Sequence, residues 1–296
     1  MEHGKEITLV AHRWRAVGCV VALGIAGAMT RAGEPGADKP LEGKTLELFV
    51  GAASKPATED AAKAFESKTG CTVRLHFGGS GAMLSQMKLT RRGDLYFPGS
   101  SDFMELAKRE KLVVSETEKI VVYLIPAINV PADNPKKIEK LEDLAKPGVR
   151  VGIARPDTVC VGLYAVMVLT HNKLAEQVKP NIVTHAESCE KTAQLVALGT
   201  VDAVLGWRVF QYWNPEKIKT IMLTPEQIPR IGYIPIAQST FCRQPEVAKQ
   251  FVDFLLGEEG KAIFHKWHYL ASVEEARKYT RKDCPVGGEW PLPKGW

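Results

Sequence analysis

The stretch "HFGGSGAMLSQM" (His76–Met87) joins a strand-like apolar end to a helix-like segment through Gly78-Gly79-Ser80-Gly81. A helix N-terminus carries unpaired backbone N–H groups and about half a positive charge. A serine there, between glycines that allow close backbone approach, suits an oxyanion. A plain N-capped turn is the commoner outcome for such a stretch. The run "GGSGA" also nearly matches G-x-S-x-G, and Asp202 and His265 or His268 follow in Ser–Asp–His order. Its fifth residue is Ala82, however, and both histidines fall in a strongly helical run, so a serine hydrolase is only a minor alternative. His265 and His268, three apart, could chelate a metal from one helix face, although two exposed histidines are the commoner result.

The composition belongs to an ordinary globular protein: 45% hydrophobic and 25% charged over 296 residues, room for one large core or two medium ones. The 39 basic and 34 acidic residues are interspersed without a basic tract, which argues against nucleic acid as a partner. "HRWR" followed by the uncharged "AVGCVVALGIAGAM" and small residues near Ala32 reads as a secretory signal peptide over residues 1–32. The apolar run is short for a membrane span. Cys19 lies inside it, leaving Cys71, Cys160, Cys189, Cys242 and Cys284 in the exported chain, with neither CxxC nor zinc-ligand spacing. An oxidising compartment makes one or two disulfides plausible, with connectivity open.

The elements that must position these residues alternate. "TLELFVGAAS", "TVRLHF" and "GDLYFPG" read as strands, each followed by a helical pattern, as in sheets covered by helices. "KIVVYLIPAIN" is a long apolar strand broken by Pro126. "IEKLEDLAKPG" is expected as a short helix and "VGLYAVMVLTHNKLAEQV" as one long apolar helix, with "NIVTHAES", "VDAVLGW" and "IGYIPIAQST" as further strands. "PEVAKQFVDFLLGEEGKAIFHKWHYL" is helical with a break at Gly257. Two long apolar strands flank the middle block, so the chain is expected to cross from one lobe to a second and back. Ligands of such sheets bind in the crevice at the strands' carboxyl ends.

Four segments together, "LFVGAASKPATEDAAKAFESKTGCTVRLHFGGSGAMLSQM", "GDLYFPGSSDFMELAKREKLV", "IEKLEDLAKPGVRVGIARPDTVCVGLYA" and "DFLLGEEGKAIFHKWHYL", resemble the periplasmic molybdate-binding proteins of ABC importers. These are type II periplasmic binding proteins. The resemblance implies an α/β fold of two lobes, each a mostly parallel sheet flanked by helices, with two crossover strands. Lobe 1 would comprise residues 33–122 and 233–296, and lobe 2 residues 123–232. It also implies a tetrahedral oxyanion, molybdate or tungstate, held between lobes by hydroxyls and backbone N–H groups. Carried over residue by residue, Ser54 in "GAAS" and Ser80 in "FGGSG" supply hydroxyls, while Val161 and Cys189 supply backbone N–H groups. Where the family commonly has a tyrosine, this chain has Trp207 followed by Arg208; an indole N–H donates but cannot accept. A guanidinium there would favour a doubly charged oxyanion or a carboxylate.

Cys160 and Cys189 fall in the two second-lobe loops expected to face the ligand. A disulfide, two separate core cysteines and a soft-metal thiolate pair all remain open readings. The resemblance thus implies a periplasmic, monomeric, non-enzymatic binding protein without cofactor, whose partner is a membrane permease. Sulfate, phosphate or a transition metal held by Cys160 and Cys189 are the alternative ligands within the same fold.

Overall fold

The computed structural model describes residues 39–296. The signal peptide expected over residues 1–32, with Cys19, lies outside the described residues. The first half begins with β1 (Thr45–Gly51), α1 (Lys55–Thr69), β2 (Thr72–Gly78), α2 (Ser80–Thr90), β3 (Leu95–Phe97) and α3 (Ser101–Arg109). Then come β4 (Lys119–Leu124), β5 (Pro126–Pro131), β6 (Val151–Ala154), α4 (Cys160–His171), α5 (Ala175–Val178), β7 (Ile182–Ala186) and α6 (Cys189–Ala197). The remainder is β8 (Ala203–Trp207), α7 (Phe210–Trp213), β9 (Ile218–Met222), β10 (Gly232–Gln238), α8 (Pro245–Leu256), α9 (Glu258–Lys266) and α10 (Val273–Arg277). The helix starts and stops follow local chemistry: Pro56 sits in the first turn of α1, and Gly70 caps it in the left-handed conformation at φ +77°.

Ten strands form two five-stranded mixed sheets, ordered β2-β1-β3-β10-β4 and β7-β6-β8-β5-β9. In each, three strands run parallel and the crossing stretches add antiparallel partners: β10 against β3 and β4, and β5 against β8 and β9. The chain changes sheet at the single buried residue Ile125, between β4 and β5. Pro126, which has no N–H to donate, opens β5 where a continuing ladder would need a donor. The strand β9, an edge partner of β5, is not legible in "IKTIM", whose alternation is short and interrupted by lysine.

Three expectations need correction. Leu141–Ala145 is a 3-10 helix rather than an α-helix. Asp143 turns back to accept the N–H groups of Glu139 and Lys140 at 2.8 and 3.2 Å, which tightens the turn before Pro147. The apolar run from Cys160 does not continue to Val178: Lys173 takes φ +57° and separates α4 from α5. The tail does not stay with the first lobe either. Leu270, Ala276 and Cys284 join the apolar core of the second sheet, and Ile231 bridges Val286.

The first apolar core runs without interruption from the β1 sheet into Val159, Cys160, Val161, Tyr164 and Cys189 of the second lobe, so the lobes are closed on each other. A buried ion pair holds the same junction. Nη2 of Arg230, just before β10, donates to both carboxylate oxygens of Asp102 in the first turn of α3, at 2.9 and 2.7 Å. Asp102 also accepts the N–H of Trp290 at 2.9 Å, and the Arg230 guanidinium lies over the Tyr164 ring at 4.7 Å. Removing one partner strands a buried charge, which costs more than the pair itself contributes. Asp102→Ala is therefore expected to lower stability by about 3–5 kcal/mol, read from urea unfolding midpoints.

Candidate functional site

Five loops meet between the two sheets. From the first come the turn Ala52–Ser54 leading into α1, Gly79 leading into α2, and Gly99–Ser100 leading into α3. From the second come Val159, preceding α4, and Ser188, whose hydroxyl caps α6 by accepting Lys191 N–H at 3.1 Å. Each helix start presents N–H groups without intrahelical acceptors. Ser54, Ser80, Ser100, Cys160, Val161 and Cys189 are all at most 1% exposed.

The junction is packed to contact distance. A Cβ at Gly99 would lie 2.5 Å from the Cys160 sulfur and 2.7 Å from Ala53 Cβ. A Cβ at Gly51 would lie 2.6 Å from both Gly99 N and Ser80 Oγ. Only glycine admits these approaches, because every other residue would push the loops apart. Polar bonds also cross the lobes: Gly81 N–H donates to Thr158 carbonyl at 2.8 Å, and Lys55 pairs with Glu190 at 2.7 Å.

The sequence-derived residues separate into those the fold brings together and those it does not. Ser54 Oγ accepts the Thr58 hydroxyl at 3.0 Å. Ser80 Oγ accepts the Gly99 N–H at 2.9 Å, and its carbonyl accepts the Tyr96 hydroxyl at 2.9 Å. The Cys160 and Cys189 sulfurs are 3.5 Å apart. Burial pushes the Cys160 thiol well above its ordinary range, the neighbouring Cys189 adds to this, and the Ser80 hydroxyl and Val161 N–H partly oppose it. All five described cysteines are free in this structure.

Trp207 and Arg208 diverge. Trp207 is fully buried against Tyr164, with ring centroids 4.8 Å apart, and its indole N–H has no acceptor. Arg208 does not join the serines and cysteines. It donates to the His268 carbonyl and lies against the rings of Tyr212 and Tyr279, in a separate crevice of about 220 Å³ lined also by His265 and Lys278. Trp207 is the last residue of β8 and Arg208 opens the turn after it, so the two side chains leave the backbone in different directions.

The minor readings lose their geometry. Asp202, the acid of the Ser–Asp–His order, is bound to Arg150 at 2.9 Å and to its backbone N–H at 2.8 Å. His265 is exposed on α9, and His268 takes φ +61° and stacks on Tyr212 at 3.6 Å. Among the described residues no three His, Cys, Asp or Glu side chains group as a metal site.

Several site residues were not singled out from sequence. Ser100, at the start of α3 beside Gly99, has a buried hydroxyl without a partner. Its signal is the same small-polar helix start, "PGSSD", that marks Ser80. Tyr96 and Tyr269 pin the loop backbones from below, Tyr269 donating to the Ala53 carbonyl at 2.6 Å. No local pattern marks either, since their partners are 16 and 216 residues away. Two open crevices flank the cluster. One of about 490 Å³ is lined by Gly79, Arg155, Thr158 and Lys191; the other, about 290 Å³, by Lys55, Glu190 and Trp213.

The family model of the bacterial extracellular solute-binding proteins matches residues 46–270. A putative binding protein of Haemophilus influenzae is 25% identical over 74% of this chain and 88% of its own length. The molybdate-binding protein ModA of Mycobacterium tuberculosis is 23% identical over 85% of this chain and 96% of its own. The periplasmic molybdate-binding protein of Azotobacter vinelandii superposes with a TM-score of 0.69 at 18% identity, covering 77% of this chain and 99% of that one. Ser80→Ala would leave the buried Gly99 N–H without an acceptor. It is expected to cost about 1–3 kcal/mol of stability in urea unfolding.

Proposed function

Because the chain belongs to the bacterial extracellular solute-binding proteins, we propose that it captures a tetrahedral dianion, molybdate or tungstate, between its lobes. Delivery would be to the membrane permease of an ABC importer, from the outer side of the cytoplasmic membrane. The proposed role is binding rather than catalysis: Asp202, the acid of the Ser–Asp–His order in the sequence, is held by Arg150.

The observation that carries the reading is the meeting of α1, α2, α4 and α6 N-termini at one buried point, without an unpaired cation among them in the described residues. Ser54, Ser80, Cys160 and Cys189 mark the four helix starts. Lys55, which follows Ser54 in the chain, is paired with Glu190 at 2.7 Å. Partial positive charges of helix ends stabilise an anion without a counter-ion. Such fixed dipoles distinguish anions by size and protonation state rather than by charge alone. Ser54 and Ser80 donate hydroxyls, and Val161 and Cys189 donate backbone N–H groups. Trp207 retains a free indole donor to complete the set, whereas Arg208 is already engaged elsewhere.

The reading is supported by the molybdate-binding relative and by the fold shared with a molybdate-binding protein. Calorimetric titration with molybdate, tungstate, sulfate and phosphate tests it. Saturable binding of molybdate or tungstate is expected, with sulfate and phosphate much weaker. The paired Ser54→Ala, Ser80→Ala variant should lose at least tenfold in affinity, about 1.4 kcal/mol. Preference for sulfate or phosphate would move the ligand within the same fold, and unchanged affinity in the paired variant would overturn the site.

A further inference from the structure

The cleft holds two thiols at the place where the proposed anion must sit. Cys160 and Cys189 are the first residues of α4 and α6, the two second-lobe helices whose N-termini face the ligand. Their sulfurs are 3.5 Å apart, and a disulfide requires about 2.0 Å, so the pair is one small approach from bonding. The other buried thiols are occupied differently: Cys71 donates to the Thr72 carbonyl and Cys284 to the Ile228 carbonyl. In the reduced form the Cys160 sulfur fills the space against Gly99 and Ala53.

We propose that Cys160 and Cys189 form a reversible disulfide, and that the disulfide form is the one that binds the oxyanion. The proposal rests on the anion reading and on export from the cytoplasm. Drawing the sulfurs together withdraws volume from the lobe junction, where the Cys160 sulfur stands against Gly99. The linked helix starts keep their N–H groups aimed at one point, which lowers the ordering cost of binding.

The chemistry is exchange with a low-molecular-weight disulfide. One cysteine thiolate attacks it, forming a mixed disulfide and expelling one small thiolate. The second cysteine thiolate then attacks the protein-bound sulfur of the mixed disulfide and expels the other. The two protons lost by the cysteines end on the two small thiols released. Both sulfurs are covered when the lobes are closed, so exchange takes place in the open, unliganded protein.

The test treats the full exported protein with oxidised glutathione or with dithiothreitol and makes two readings on each sample. Peptide mass mapping should find Cys160 joined to Cys189 after oxidation, and separate peptides after reduction. Tungstate titration should show at least tenfold tighter binding by the oxidised form. Cys160→Ser should bind tungstate equally in both conditions. Failure to find the cross-link overturns the proposal, as does equal tungstate affinity of oxidised and reduced protein. Absence of tungstate binding in both forms overturns the anion reading and the affinity coupling, while mass mapping still decides the cross-link.

Discussion

A buried backbone N–H without an acceptor costs free energy, and every helix start exposes several of them. This fold directs four such starts into one lobe junction and lets backbone approach backbone through Gly51, Gly79, Gly81 and Gly99. The close approach is the constraint on which the rest depends. Gly99 has Cys160 and Ala53 where a Cβ would be, and Gly79 has the carbonyls of Thr158 and Glu187 within 2.9 Å of its Cβ position. Any larger side chain would hold the lobes apart and leave the donors in water, where they attract an anion only weakly.

Keeping the lobes in that relation requires fixing points on the scaffold. The two crossings place the sheets side by side with antiparallel partners, and the Asp102–Arg230 pair ties the α3 start to the chain just before β10. The tail reinforces it: Trp290 N–H reaches Asp102, while Gly288 carbonyl accepts the Ser101 hydroxyl at 2.7 Å. Tyr96 and Tyr269 hold the Ser80 and Ala53 carbonyls from within the first core. Their burial pushes both phenols well above the ordinary tyrosine range, so they stay neutral donors.

The departures from the family's pattern are concentrated on the second-lobe side. Trp207 keeps an unpaired buried indole donor and, unlike a tyrosine, cannot accept. Arg208 turns to the His268 carbonyl, away from the serine and cysteine cluster. The cysteine pair places two buried sulfurs 3.5 Å apart among the helix starts.

The elements and the serine-bearing helix starts were legible from sequence because they rest on local rules. Strand–helix alternation, Gly70 as a stop, Pro126 as a break and "GGSG" before an apolar helix each act within a few residues. The 3-10 turn at Leu141–Ala145 and the break at Lys173 were not, because Asp143's backward bonds and a left-handed lysine compete with an otherwise helical pattern. The edge strand β9 forms because β5 offers it a free ladder, which no property of its own five residues announces. Tertiary structure alone decided which candidates share a site. It brought Cys160 to Cys189 across 29 residues of chain and Tyr269 beneath Ala53 across 216. It separated Arg208 from its neighbour Trp207, since direction in space is set by the sheet that carries a residue and not by its place in the chain.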